Sequence, residues 1–360
     1  MFVLDSHCDT PSQILRLRDL TSDDPHSHVD FPKLHRGGVD GAFFALYIPA
    51  SLDNDAAAAY GYAMNLLNGV QKAVEANSQI AAVTTSVYQA LENQKNGLFS
   101  VFLGLENGSP LGHSLEKLKD FYDSGVRYIT LCHSGNNLIC DSCAPSLKRW
   151  NGLSPFGREV IAEMNRLGMM IDVSHVSDAS FYDVLGCSAL PVVATHSCCR
   201  ALADHPRNMT DDMIRALASA GGVIQINFYP VFLDSGFASV LSASGIMERG
   251  DAVETEFISD PADPVKRQAW YDVLDELSSL TRPSYKRIVD HIDHVVSLVG
   301  IDHVGLGSDF DGIAVTPAGM EDASCFSIIF DEMAVRGYTA EDMAKVAGGN
   351  IFRVMEKNRC

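Results

Sequence analysis

Seven ionisable residues of this 360-residue chain stand where they could do chemistry together: His7, Asp9, Glu106, His133, His175, His196 and Asp309. Each follows a short apolar run. Gathered in one place, so many ionisable groups would repel or desolvate one another unless cations organised them. Neutral imidazole nitrogen and carboxylate oxygen together suit zinc. A pair of ions roughly 3.5–4 Å apart needs one ligand that reaches both, and a carboxylate has the two oxygens to do so. Glu106, on a run between the two other ligand groups, suits that bridge. His7 and Asp9 are two residues apart, so in extended chain both side chains point the same way. They are expected to hold one ion with Glu106, and His175 and His196 the other.

Strands must position these groups. Apolar runs rich in β-branched residues occur at Phe2–Asp5, Gly41–Ile48, Leu98–Leu105, Arg127–Cys132, Met169–Val173, Pro191–Thr195, Gly222–Phe228 and Val304–Gly307. Most are continuous rather than alternating, as expected of parallel strands covered on both faces. Helical spacing of apolar residues marks Ala56–Ala76, Leu115–Tyr122, Phe156–Leu167, Met213–Ala220 and Tyr285–Val299, and a closing helix is predicted over Thr339–Lys357 with Thr339 as its N-cap. Alternating strands and helices with eight strands predict an α/β fold, a (β/α)8 barrel spanning residues 1–360 as one domain. In such a barrel all the polar strand ends converge on one face. Tyr229 to Pro283 is too long for a simple connection and is expected to be an insertion or lid between strands 7 and 8.

Composition narrows the partners. A net charge of −19 argues against a nucleic-acid surface, which needs Lys and Arg to displace counterions. No run is long and apolar enough to span a membrane. The first residues show no secretory leader pattern, so the chain is expected to be cytoplasmic, with its nine cysteines reduced. Cys140 and Cys143 form one CxxC, read as a loop because a zinc ribbon needs two such pairs. Asp309-Phe-Asp311-Gly312 lacks the remaining acids of a calcium loop. His291 and His294 lack the Glu of a metalloprotease helix and are expected on a solvated or interhelical face.

The order and spacing of several motifs resemble the membrane or renal dipeptidases of the amidohydrolase superfamily. They include Asp5-Ser-His7-Cys-Asp9-Thr-Pro11, Gly104-Leu-Glu106-Asn-Gly108, Tyr128-Ile-Thr-Leu-Cys-His133, Ile171-Asp-Val-Ser-His175, His196-Ser197, Arg207-Asn208 and Val304-Gly-Leu-Gly-Ser-Asp309-Phe-Asp-Gly312. The resemblance covers essentially the whole chain. It implies a metal-dependent hydrolase barrel with two zinc ions, His7, Asp9 and bridging Glu106 on one, Glu106, His175 and His196 on the other. It also implies substrate residues at His133, Arg207 and Asp309. The expected reaction is hydrolysis of dipeptides, including L-Xaa-D-Xaa, by a hydroxide lying between the zinc ions. Asp309 is the expected proton carrier, His133 the oxyanion donor and Arg207 the carboxylate clamp. The alternative is another amidohydrolase reaction on a lactone, an N-acyl amino acid or another amide. Homodimers are frequent in the family. Two departures are visible: Asn107 where the family often has Gly, expected to alter the pocket, and a Tyr229–Pro283 stretch longer than in mammalian members.

Overall fold

Parallel strands with both faces covered must be apolar throughout, and the runs above meet that demand. In the computed structural model, which describes residues 1–359, they form β1 (Leu4–Cys8), β2 (Gly41–Tyr47), β3 (Ala81–Val83), β4 (Phe99–Glu106), β5 (Val126–Thr130), β6 (Met170–Asp172), β7 (Val193–Ser197), β8 (Val223–Ile226) and β9 (Val304–Leu306). Eight strands follow one another as β1-β2-β4-β5-β6-β7-β8-β9, all parallel. The short β3 pairs with β4 outside that path. Its three residues are too few to show a pattern in sequence.

Several strands run further toward the polar residues than apolarity predicts. His7 lies within β1, Glu106 ends β4 and His196 lies within β7, rather than after them. Pairing continues there because buried polar side chains satisfy one another. Ser6 Oγ, for example, donates to the Thr195 carbonyl at 2.6 Å.

The barrel nearly closes where the chain leaves β1 and β9. The Asp9 amide donates to the Phe310 carbonyl at 2.8 Å, and the Asp309 amide to the His7 carbonyl at 3.0 Å. Nearer the start of β1, the Asp5 carboxylate accepts the Ser308 amide at 2.8 Å and the Ser308 hydroxyl at 2.5 Å in place of a ladder. Gly307 has no room for a side chain, because a Cβ would stand 1.9 Å from the Thr195 carbonyl oxygen.

Helices cover the outside, among them Ala56–Ala76, Leu115–Asp123, Pro155–Leu167, Asp211–Ser219 and Lys286–Val299. Ser154 and Thr210 cap two of these by accepting the Gly157 and Met213 amides. The predicted closing helix is instead α-helical at Ala340–Ala344 and Asn350–Lys357 with a π turn between, and Thr339 starts it through a capping box with Asp342. Leu4, Phe43, Phe102, Tyr128, Met170, Val193 and Val223 of seven strands pack with Ile351 and Met355 of that last helix. This plug fills one end of the barrel and leaves the C-terminal strand ends for a site.

The long connection folds as Pro230–Leu233, Phe237–Ser244, Ile246–Ser259 and Pro264–Ser278, around an apolar cluster of its own that includes Phe257, Trp270 and Leu277. Its ties to the segment after β1 are polar. Arg16 pairs with Glu254 at 2.9 Å, and the Tyr271 hydroxyl donates to Asp24 at 3.1 Å. Among the described residues, no helix is long and apolar enough to cross a membrane.

Candidate metal centre

The strand ends bring the seven predicted residues to one mouth. Glu106 is buried at its centre, and its two oxygens face different partners. Oε2 lies 3.6 Å from His7 Nε2, while Oε1 lies 3.1 Å from His175 Nε2, 3.3 Å from His196 Nε2 and 4.0 Å from His133 Nε2. Asp9 Oδ2 is 3.6 Å from the same His7 nitrogen. Mutually close donor sets are His7, Asp9 and Glu106; His7, His196 and Asp309; and Glu106, His133 and His175. His133 and Asp309 thus belong to these donor sets too, although His133 Nε2 stands farther from Glu106 Oε1 than the His175 and His196 nitrogens do.

This arrangement fits a pair of cations. His7 Nε2 and Asp9 Oδ1 are buried without a hydrogen-bond partner. Such atoms are costly unless something absent from the protein side chains satisfies them. The Nε2 atoms of His175 and His196 face each other at 2.9 Å, a contact that two neutral lone pairs would oppose but that a shared cation would favour. The charges agree. Burial, and then the neighbouring Glu106 charge, push the Asp9 carboxyl up to about 8. Burial also opposes ionisation of Glu106, yet the charge of His7, then hydrogen bonds from His175, His196 and His7, hold it well below the usual carboxylate range. His175 falls well below the ordinary imidazole value through burial, then Arg207 and His133. A neutral imidazole is the form that binds a metal.

Local backbone aims each group. His175 follows β6 in the left-handed region at φ 70°, with its carbonyl held by the Cys143 amide at 2.8 Å. The Cys140–Cys143 loop therefore braces a site histidine. His7 Nδ1 meets the Tyr128 hydroxyl at 2.8 Å. His133 Nδ1 meets Ser134 Oγ at 3.2 Å, and its ring packs 4.2 Å from that of His175. Arg207 donates from Nη2 to the His196 carbonyl at 2.9 Å and from Nη1 to Ser197 Oγ at 3.3 Å. Asp309, at φ 63°, accepts from Asn227 Nδ2 at 2.8 Å.

Asn227 was missed in the sequence because it sits inside an apolar run, Gly222–Phe228, although it directly follows β8 at the same end of the barrel as the other polar residues. Asn107 does not line the cavity, contrary to the expectation that it alters the pocket. Its buried side chain instead donates to Asp53 at 2.7 Å and to the Ile48 carbonyl at 3.1 Å, tying down the end of β4. Asp311 accepts from Thr10 Oγ1 at 2.9 Å and the His28 amide at 3.2 Å, which makes it a loop brace. His294 pairs with Asp211 at 2.8 Å, and the fully buried His291 reaches the Leu233 carbonyl of the helix Pro230–Leu233 at 3.1 Å, so both make the expected interhelical contacts.

A cavity of about 900 Å³ opens over the centre. Asp9, Glu106, His133, His175, Arg207 and Asp309 line it, and so do Met247, Ile258, Trp270 and Leu274 of the long connection. That is the upper end of ordinary small-molecule pockets, with a polar part and an apolar part.

A model of the membrane dipeptidase family, peptidase family M19, matches residues 1–359. Dipeptidase verJ of Clonostachys rogersoniana is 30% identical over 338 residues, 92% of this chain and 76% of that protein. Dipeptidase aclJ of Aspergillus oryzae is 29% identical over 350 residues, 96% of this chain and 73% of its own. Among solved structures, the probable dipeptidase PvdM from Pseudomonas aeruginosa superposes with a TM-score of 0.83 at 27% identity, over 100% of this chain and 96% of that one. A metallopeptidase from Rhodobacter sphaeroides, liganded with a phosphinate mimic of the dipeptide L-Ala-D-Ala, shares the fold with a TM-score of 0.80 at 24% identity, over 99% of both chains. With a family match running the length of a barrel whose mouth gathers metal-donor side chains, this chain belongs to the membrane dipeptidase family of metallopeptidases, peptidase family M19.

Proposed function

We propose that the protein is a zinc-dependent dipeptidase that cleaves the peptide bond of dipeptides, L-Xaa-D-Xaa among them. In this reading His7, Asp9 and Glu106 hold one zinc ion, and Glu106, His175 and His196 the other. The observation that carries it is the division of Glu106, whose Oε2 faces His7 at 3.6 Å while Oε1 faces His175 and His196 at 3.1 and 3.3 Å. A zinc pair bound there supplies an acidified water and polarises the scissile carbonyl.

The remaining steps belong to side chains. Asp309, oriented by Asn227, takes the proton of the attacking water and returns it to the leaving amine. His133, whose Nδ1 meets Ser134 Oγ at 3.2 Å, acts in the tautomer that presents Nε2–H to the oxyanion that develops on the carbonyl oxygen. Arg207 binds the substrate's terminal carboxylate. Two of its nitrogens are already anchored to His196 and Ser197, so the guanidinium is held in place before substrate arrives. A carboxylate clamp at one end and a carboxylate for the free amine at the other restrict the substrate to two residues. The L-Ala-D-Ala mimic held by the Rhodobacter sphaeroides relative is in keeping with a D residue at the carboxyl end. Helices 230–278 serve as a lid over the cavity within a single barrel domain.

The test is a zinc-reconstituted screen of L-L and L-D dipeptides beside lactones and N-acyl amino acids. Release of free amino acids from dipeptides, with about two zinc ions per chain, is expected. Turnover confined to the other substrates would overturn the reading.

A further inference from the structure

Asp172, the last residue of β6, is fully buried and touches no part of the cavity. Four neutral donors converge on its carboxylate. Oδ1 accepts the Ser174 and Thr195 amides, both at 2.9 Å, and Oδ2 accepts the hydroxyls of Thr130 at 2.5 Å and Thr195 at 2.6 Å. A buried anion is expensive, and neutral donors offset only part of that cost. Its position suggests where the rest is offset. Thr195 Oγ1 also lies 2.8 Å from His196 Nδ1.

A threonine hydroxyl has one proton. Thr195 gives its proton to Asp172, so in the contact with His196 it can only accept. His196 must therefore carry its proton on Nδ1, which leaves the Nε2 lone pair free. Nε2 is the atom that stands 3.3 Å from Glu106 and 2.9 Å from His175 Nε2. Ser174 adds a second link, since its hydroxyl accepts the His196 amide at 3.1 Å. His7 is backed by a different group, its Nδ1 meeting the Tyr128 hydroxyl at 2.8 Å.

We propose that Asp172 is a positioning residue which, through the Thr195 hydroxyl, locks His196 in the Nδ1–H tautomer and strengthens Nε2 as a metal donor. The consequence is that the ion held by His175 and His196 depends on a carboxylate that never touches it. This rests on the metal reading above. A carboxylate behind a ligating imidazole fixes its tautomer and raises its basicity, and losing such a partner typically weakens metal binding about 10- to 100-fold.

The experiment titrates Zn²⁺ into the metal-free protein against a chromophoric chelator, without reference to turnover. Wild type should bind about two ions. In Asp172→Asn the charge is lost, and the amide can donate to Thr195 and reverse the chain, so one of the ions should bind about 10- to 100-fold more weakly. Thr195→Val should show the same loss, whereas Thr195→Ser, which keeps the hydroxyl, should stay near wild type. If Asp172→Asn does not fold, the comparison of Thr195→Val with Thr195→Ser decides alone. Wild-type affinity for both ions in Thr195→Val, or equal weakening in Thr195→Ser, overturns the relay while leaving the dipeptidase reading standing. A wild-type chain that binds no zinc overturns both.

Discussion

Asp309 enters the cavity mouth on a left-handed backbone at φ 63°, and His175 does so at φ 70°. Non-glycine residues in that region cost roughly 1–3 kcal/mol each, and such strain collects where a side chain must be aimed. For Asp309 the expected task is proton transfer, so Asp309→Asn should keep fold and zinc content while kcat falls about 10²- to 10⁴-fold. Near-normal kcat in a zinc-replete Asp309→Asn enzyme would reassign the step, first to Asp311. In the proposed site Glu106 serves both ligand sets, so Glu106→Ala should lose both ions together by metal analysis. Retention of one ion at wild-type affinity would count against the bridge. In the proposed role as carboxylate clamp Arg207 pairs with substrate before the transition state, so Arg207→Ala should raise KM more than it lowers kcat, with kcat/KM falling roughly 30- to 1000-fold, about 2–4 kcal/mol. Dipeptide amides make the sharper comparison. Wild type should reject them, while Arg207→Ala should treat acid and amide almost alike.

At the scale of elements, two features decide how the site is shaped. One is the approach of β4 to β5. A Cβ on Gly104 would come within 2.1 Å of the Tyr128 ring, whose hydroxyl meets His7. Only glycine lets Tyr128 lie flat enough to reach that imidazole. The other is the Ile246–Ser259 helix, which leans over the cavity. Ile258 lines the cavity yet is 47% exposed, so changing it leaves the helix's own packing intact. Ile258→Asp should reduce kcat/KM about 3- to 10-fold for dipeptides with a bulky apolar residue, the loss of roughly 1 kcal/mol of apolar burial. Gly-Gly and Ala-Ala should be little affected, and melting temperature should not move. Equal losses on small and bulky dipeptides would show that this wall does not select side chains.

For the whole molecule, stability should fall in mild acid through a residue remote from the chemistry. His291 accepts the Cys199 amide at 3.0 Å and reaches the Leu233 carbonyl at 3.1 Å, so it joins an outer helix to the segments after β7 and β8. Burial holds it down to about 4 from an ordinary 6.5. The folded protein refuses a proton that the unfolded chain accepts. The stabilisation is therefore whole above pH 6.5 and is lost as pH falls toward 4. Between pH 7.5 and 4.5 the loss amounts to about 2–3 kcal/mol. Urea unfolding of the metal-free protein should show His291→Gln losing that much less than wild type over the same interval. Parallel pH dependence in the two proteins would remove His291 from the account.

Strand number along the barrel, most helix spans and seven ionisable residues at strand ends were legible in the sequence, because buried parallel strands are apolar on both faces and an ionisable residue at the end of such a run stands out. Asn227 and β3 were not, one hidden inside an apolar run and the other only three residues long. The sequence also named Glu106 as the residue between two donor groups, since only a carboxylate there has an oxygen for each. Tertiary structure alone decided which oxygen faces which histidine, and that His133 and Asp309 join the same clusters of donor side chains as the predicted ligands. It alone decided that Tyr128 stands behind His7, 121 residues away, and that Asp172 stands behind Thr195, 23 residues away, because packing across strands sets those partners and no local pattern reaches so far, although Thr195 itself adjoins His196.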